Sequence, residues 1–157
     1  MRSALITAVL LGCCAGRVLA QSVTGQSDVA VVVNQSNAVS NLTLTDLRKL
    51  FNGERHSWPG SVPVRPIVRA PGCSERTTLL KLLKMTESEY KQYWAAQVFR
   101  GEADAEPFAA PSVGMTMEAV RTFPGGIALV DSREVKAGLK IVKVEGLLPG
   151  AAGYPLH

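Results

Sequence analysis

An almost unbroken run of β-branched residues near the start of the chain limits the choice of fold class. Residues 29–33 read Val-Ala-Val-Val-Val, between Asp28 and Asn34. A run this short and this apolar is typical of a strand that is covered on both faces. Such strands belong to α/β domains, in which helices pack on both sides of a sheet.

Strand-like and helix-like segments alternate along the rest of the chain. We expect strands over residues 28–34, 64–69, 127–131 and 139–145, and helices over 43–52, 74–85, 86–100 and 112–122. Thr43 or Thr45 is expected to cap the first helix. An apolar stripe predicts the buried face of the third helix, and its members are Tyr90, Tyr93, Trp94, Val98 and Phe99. The order β-α-β-α-α-α-β-β predicts one layered α/β domain, with Trp58 and Trp94 in its core.

The first twenty residues have the pattern of a secretory signal peptide. Arg2 precedes an uncharged apolar stretch, residues 4–11, and Val18-Leu19-Ala20 resembles a cleavage site before Gln21. The stretch is shorter than the roughly 20 residues that a membrane-spanning helix needs. We therefore expect a periplasmic or secreted protein: signal 1–20, flexible lead 21–27, domain 28–146 and irregular tail 147–157. The alternative is a lipoprotein, because residues 10–13 resemble a lipobox that ends at Cys13.

Charge and composition exclude several classes of protein. Of 157 residues, 46% are hydrophobic, which argues against disorder. Loss of Arg2 and Arg17 with the signal would lower the formal net charge from +4 to +2. With no dense Lys/Arg run, nucleic acid is not an expected partner, and no later segment predicts a membrane span. Cys73 would remain as the single cysteine, so no internal disulfide is expected.

The segment over residues 64–78 predicts an anion site. A strand ends at Arg69, a turn contains Gly72, and a helix begins near Ser74. The first amides of a helix lack internal partners, and the helix dipole favours negative charge there. Arg69 and Arg76 could add paired donors to an oxyanion. Ser36, in a polar loop after the first strand, is expected to border the same site, because ligands of α/β sheets gather at the carboxyl ends of strands.

An ordered set of motifs resembles a known family. The set is Val31-Val32-Val33-Asn34, Leu44-Thr45-Asp46-Leu47, Phe51-Asn52-Gly53, Trp58, residues 64–69 with Gly72, Ala119-Val120-Arg121 and residues 123–130. It resembles the second domain of the periplasmic phosphate-binding proteins that serve phosphate ABC transporters. The resemblance implies one lobe of a type II periplasmic binding protein, with a three-layer α/β arrangement.

The resemblance also implies a ligand and site residues. In the family an Arg and a following Gly-Ser-Gly-Thr run bind phosphate. Arg69 and Gly72 match the Arg and the first Gly, whereas Cys73, Ser74 and Glu75 stand at the Ser, Gly and Thr positions. Glu75 would place a carboxylate beside the anion, and Arg76 would compensate.

Two functions remain open at this point. The first is a non-catalytic solute-binding module for an oxyanion such as phosphate, with the ligand-binding residues Arg69, Gly72, Cys73, Ser74, Arg76 and Ser36. The alternative is a protein-interaction domain, acting on a partner or as a homodimer, which kept the lobe and lost the ligand. Glu75 and a length that suffices for one lobe favour the alternative. An enzyme, a metal site and a cofactor are not expected, because no nucleophile–base pair or metal-ligand set is visible.

Overall fold

One mixed sheet of six strands organises residues 27–157. The computed structural model describes residues 27–157; the expected signal peptide, the lipobox and nearly all of the expected lead lie outside these residues. The strands are β1 (Val29–Asn34), β2 (Asn41–Leu42), β3 (Arg65–Arg69), β4 (Phe108–Ala110), β5 (Gly126–Asp131) and β6 (Leu139–Val144). The helices are α1 (Leu44–Phe51), α2 (Ser74–Leu83), α3 (Glu87–Phe99) and α4 (Val113–Thr122).

The position of the central strand β1 between two cores explains its apolar composition. Its side chains alternate between two apolar cores: Val29, Val31 and Val33 pack with α1, α2 and α3, whereas Ala30 and Val32 pack with α4. Every residue of β1 is therefore buried, as the run of apolar residues predicts. The three-layer α/β arrangement is confirmed.

Strand direction decides which loops are neighbours. The sheet has the order β2-β6-β1-β5-β3-β4. Strand β3 runs parallel to β4 and β5, whereas β1 runs antiparallel to β5 and β6. The carboxyl end of β1 consequently lies at the opposite edge of the sheet from the carboxyl end of β3.

Two short strands were not expected. Strand β4 lies between the expected helices 86–100 and 112–122, and β2 lies between the expected strand 28–34 and the expected helix 43–52. Each has at most three residues and forms only by pairing with a strand distant in sequence. The predicted helices are confirmed to within two residues at each end, and Thr43 caps α1 in a capping box with Asp46.

The core contains both tryptophans, as expected. The indole Nε1 of Trp58 donates to the carbonyl of Gly125 at 3.0 Å, and the same carbonyl accepts from the amide of Arg65 at 2.9 Å. The stripe on α3 is shorter than predicted: Val98 is exposed, and Phe99 is 93% exposed. Helix α3 leaves the core at its last turn, so periodicity alone overestimates its buried face.

Residues 147–157 form no helix or strand, yet they pack on the sheet. Tyr154 and Leu156 are buried in the same core as Val29. The Val29 amide donates to the Leu156 carbonyl at 2.8 Å, and the Tyr154 hydroxyl donates to the Val29 carbonyl at 2.8 Å.

Candidate functional site

The carboxyl end of β3 and the start of α2 form a tight strand–turn–helix. Gly72 lies in the turn at φ +95°, a conformation that favours glycine because any Cβ would be strained there. The turn leaves Gly72 and Ser74 exposed and Cys73 half-buried. Arg69, Gly72, Cys73 and Ser74 are thus brought together around the first turn of α2.

The N-terminus of α2 differs from those of the other helices in residues 27–157. Thr43, Thr86 and Ser112 cap α1, α3 and α4 with side-chain hydrogen bonds. Cys73 occupies the capping position of α2 and makes no such bond. Its Sγ donates instead to the carbonyl of Ala70 at 3.0 Å. The first-turn amides of α2 therefore have no side-chain acceptor on their own capping residue.

Arg69 points at this turn but already has neighbours. Its Nη1 donates to the Ala110 carbonyl at 3.1 Å. Its Nε lies 3.6 Å from Oε1 of Glu75, a distance that makes an ion pair and is too long for a hydrogen bond. The Arg69 Nε is buried and has no hydrogen-bond partner. The two side chains are only 12% and 5% exposed, so the pair is largely removed from water.

Arg76 does not join the other predicted ligands. It points to α3, where its Nε and Nη2 donate to the two carboxylate oxygens of Glu87 at 3.0 and 2.7 Å. Its guanidinium carbon lies 4.0 Å from the centre of the Tyr90 ring. The Arg76 hydrogen bonds hold the pKa of the Glu87 carboxyl below its usual range. This pair, in which Arg76 is buried and Glu87 is half-buried, links α2 to α3.

Ser36 lies away from the site, which corrects the expectation that it borders Arg69. The prediction assumed parallel strands, but β1 runs antiparallel to β5 while β3 runs parallel to it. The Ser36 amide and hydroxyl donate to Oδ1 of Asn34 at 2.9 and 2.7 Å. Asn34 in turn donates to the Val120 and Arg121 carbonyls, so this loop holds the end of α4.

The carbonyl of Ala110 is a site component that the sequence analysis missed. It ends β4 and accepts from Arg69 Nη1 and from the Ala70 amide at 3.0 Å. Only the pairing of β4 with β3 brings it there. The sequence signal was weak: three residues, Phe-Ala-Ala, before Pro111.

A separate groove follows the sheet edge where β4 stops short of the first residues of β3. Its volume is about 720 Å³, within the range of roughly 300–1,000 Å³ typical of ligand pockets. Ile67 and Trp94 lie in its lining with three exposed apolar side chains, Phe108, Met115 and Phe123. Arg69 and α2 do not line it. The groove and the strand–turn–helix are therefore two distinct surfaces.

Charged residues of opposite sign line the groove. Arg55 and Arg65 come from the segment before β3 and from its first residue. Asp104 and Glu106 come from the loop before β4, and neither pairs with a cation within residues 27–157. The same described part of the chain holds no cluster of potential metal ligands and no helix long and apolar enough to cross a membrane.

The profile of one protein family, the PBP superfamily domain, matches residues 12–155. The chain belongs to this family. The match contains the strand–turn–helix and the groove of this PBP domain. No curated protein is significantly similar to the chain in sequence.

Solved structures share the fold of this PBP domain. A Clostridium perfringens protein described as a phosphate ABC transporter substrate-binding protein, solved with bound phosphate, is 17% identical with a TM-score of 0.63, over 77% of this chain and 46% of its own. An ABC-type phosphate transport receptor from Vibrio cholerae is 20% identical with a TM-score of 0.63, over 78% and 48%. PstS from Borrelia burgdorferi is 17% identical with a TM-score of 0.58, over 78% and 49%. The chain spans about half the length of these proteins, consistent with a single lobe.

The PBP domain therefore brings Arg69 and a helix start without a side-chain cap together at the carboxyl end of β3. A helix start without a side-chain cap and an arginine can hold an anion by the dipole and by charge-assisted hydrogen bonds. Such contacts are weak when water reaches the ligand.

Proposed function

We propose that this chain is an exported, non-catalytic solute-binding module that holds a small oxyanion, phosphate being the first choice. The anion would lie between Arg69 and the amides of residues 73–75. The observation that carries the proposal is the start of α2. Its N-cap residue, Cys73, makes no side-chain hydrogen bond to the first-turn amides, and Arg69 lies beside this turn. The likeness to phosphate transport receptors supports the choice of ligand.

The proposed site is modest in strength. A single lobe leaves the ligand open to water, and its dipole and guanidinium contacts together suggest an affinity of roughly millimolar to tens of micromolar. Because an open site is screened, added salt is expected to weaken binding.

Calorimetric titration of the purified protein with phosphate, sulfate and small carboxylates at low ionic strength tests the site. Arg69→Ala is expected to weaken oxyanion binding several-fold. Arg65→Ala is the matched control, because Arg65 begins the strand that Arg69 ends and is exposed; it should leave binding unchanged. Equal affinities in the wild type and in Arg69→Ala would reject the site.

Export belongs to the same proposal and has its own test. Residues 1–20 carry the signal pattern, and cleavage after Ala20 would make Gln21 the first residue of the exported protein. Mass spectrometry of the periplasmic or secreted product checks this. A lipid on Cys13 or an intact Met1 would contradict cleavage at this position.

A second candidate function, a protein-interaction domain, is favoured by the groove. We propose a second copy of the chain as its occupant. In a dimer with a two-fold axis, the arginines of one copy would face the carboxylates of the other. The arginines are Arg55 and Arg65, and the carboxylates are Asp104 and Glu106. The exposed side chains of Phe108, Met115 and Phe123 would supply the apolar contact.

Sedimentation velocity over a range of protein concentrations tests self-association. Phe108→Asp should shift the equilibrium toward monomer. Phe99→Asp, on an exposed residue outside the groove lining, should not. A wild-type protein that remains monomeric at several hundred micromolar would reject this candidate.

A further inference from the structure

The Glu75 carboxylate lies among the hydrogen-bond donors that the proposed anion would use. Its Oε1 faces Nε of Arg69 at 3.6 Å, and its Oε2 accepts from the Ser74 hydroxyl at 3.3 Å. Two of the residues expected to bind the ligand thus contact this carboxylate. Cys73, a third, turns its Sγ to Ala70.

Burial and position make Glu75 an effective competitor. The side chain is 5% exposed, and its partner Arg69 is 12% exposed, so their attraction is weakly screened. Glu75 also belongs to the first turn of α2, where the helix dipole favours a negative charge. The carboxylate therefore has the same two sources of attraction, guanidinium and helix start, that the oxyanion would have.

Arg76 cannot offset this charge. Its Nε and Nη2 both donate to the carboxylate of Glu87, and its guanidinium stacks on the ring of Tyr90. Within residues 27–157, Arg69 is the cation that pairs with Glu75. A second anion beside Arg69 would share its single positive charge with Glu75 and would meet a like charge at close range.

We propose that Glu75 is an intramolecular competitor of the oxyanion: its carboxylate occupies the Arg69 side of the site, and the ligand binds only when this carboxylate is displaced. The inference rests on the anion site proposed above and adds its regulation. The contact is autoinhibitory, and removal of one negative charge should convert a weak site into a stronger one.

The test is titration of Glu75→Gln with inorganic phosphate and with sulfate at low ionic strength. The amide keeps the shape and removes the charge, so affinity should rise about tenfold. Glu87→Gln is the matched control, because Glu87 also pairs with an arginine of α2 but lies on α3; its affinity should stay at the wild-type value. The double variant Arg69→Ala with Glu75→Gln should lose the gain.

A second variant and a second readout keep the test informative. Glu75→Thr removes the charge with a smaller side chain and should also tighten binding. If loss of the ion pair destabilises either variant, phosphate should raise its melting temperature more than that of the wild type, since a ligand stabilises the state that binds it.

The outcomes separate the two proposals. If Glu75→Gln and Glu75→Thr bind as the wild type does while Arg69→Ala weakens binding, the competitor is rejected and the anion site stands. If neither anion binds the wild type or either Glu75 variant, and neither anion shifts a melting temperature, the anion site fails and the competitor fails with it.

Discussion

Trp94 joins α3 to the loop after α1, and a single substitution measures what that contact contributes. The side chain is 4% exposed, and it packs edge-on against Tyr93 with ring centres 5.7 Å apart. We expect Trp94→Ala to lower the free energy of unfolding by roughly 3–5 kcal/mol, through lost burial and the cavity left behind. Denaturant titration measures this change.

The control for Trp94 lies on the same helix. Phe99 is 93% exposed, so Phe99→Ala should change the free energy of unfolding by no more than about 0.5 kcal/mol. A loss below about 1 kcal/mol for Trp94→Ala, or equal losses for both variants, would mean that α3 does not pack as described.

Residue-level prediction succeeded where local sequence determines the environment. Arg69 and Gly72 were expected at a strand end and in a turn, and they lie there because β3 and the start of α2 are adjacent in sequence. Arg76 was expected at the same site and turns away, because Glu87 and Tyr90 of α3 attract it. A choice between two partners depends on tertiary packing, which periodicity does not contain.

At the scale of elements, α3 starts with a side-chain cap and α2 does not, and the free energy of unfolding of cap variants should show this difference. Thr86 accepts from the amide of Glu89, and the Glu89 carboxylate accepts from the amide of Thr86. Thr86→Ala should therefore cost about 1 kcal/mol in the free energy of unfolding. Cys73→Ala at the start of α2 should cost less, because Cys73 makes no capping bond.

Urea titrations of the two cap variants, with equal m-values, provide the comparison. Equal costs would indicate that the Cys73 thiol stabilises α2 as strongly as a true cap. A cost for Thr86→Ala near zero would indicate that tertiary packing alone holds α3.

Helices and strands could be predicted where residues close in sequence form a recognisable pattern. Cap residues and apolar spacing are local, and all four helices were placed from them. Strands β2 and β4 have two and three residues, and their hydrogen bonds go to β6 and β3. No pattern of period two can be recognised in so few residues, so the groove beside β4 could not be predicted either.

At the scale of the whole molecule, the antiparallel direction of β1 was the main surprise. A buried, apolar strand suits a parallel sheet, but both neighbours of β1 run against it. Sequence composition reports burial on two faces and does not report strand direction. The misplaced Ser36 follows directly from this.

Acid is expected to destabilise the fold through Asp131, the last residue of β5, which pairs with the first residue of β1. Its carboxylate accepts from Arg133 Nη2 at 2.8 Å and from the Ser27 hydroxyl at 2.6 Å. The hydrogen bonds from Arg133 hold the pKa of Asp131 far below its usual range. The unfolded chain therefore binds a proton at a higher pH than the folded chain does, and stability falls as pH drops below about 5.

Urea unfolding between about pH 7 and pH 3 measures this dependence. Asp131→Asn removes the titrating group, so its free energy of unfolding should fall less steeply over the acidic part of the range. Asp46, Glu87 and Glu89 also have lowered pKa values, and they should leave part of the slope in place. Identical slopes for the variant and the wild type would contradict the assignment to Asp131.

The last residues of the chain close the core over β1, although they form no helix or strand. The Tyr154 hydroxyl donates to the Val29 carbonyl, and burial raises the pKa of this hydroxyl, so it remains protonated and able to donate. Leu156 is buried beside it, and its carbonyl accepts from the Val29 amide. These bonds satisfy backbone groups at the start of the central strand, which would otherwise face a gap in the core.

Removal of residues 153–157 should therefore lower the free energy of unfolding by at least about 4 kcal/mol, since an aromatic and an aliphatic side chain leave the core together. Tyr154→Phe should lose about 1–3 kcal/mol, because the ring stays and the Val29 carbonyl loses its partner. Leu148→Ala, on an exposed residue of the same segment, should change stability by about 0.5 kcal/mol or less. Thermal and denaturant unfolding of the three variants would give this order; a truncated protein as stable as the full chain would mean that the segment only lies against the sheet and contributes nothing to its core.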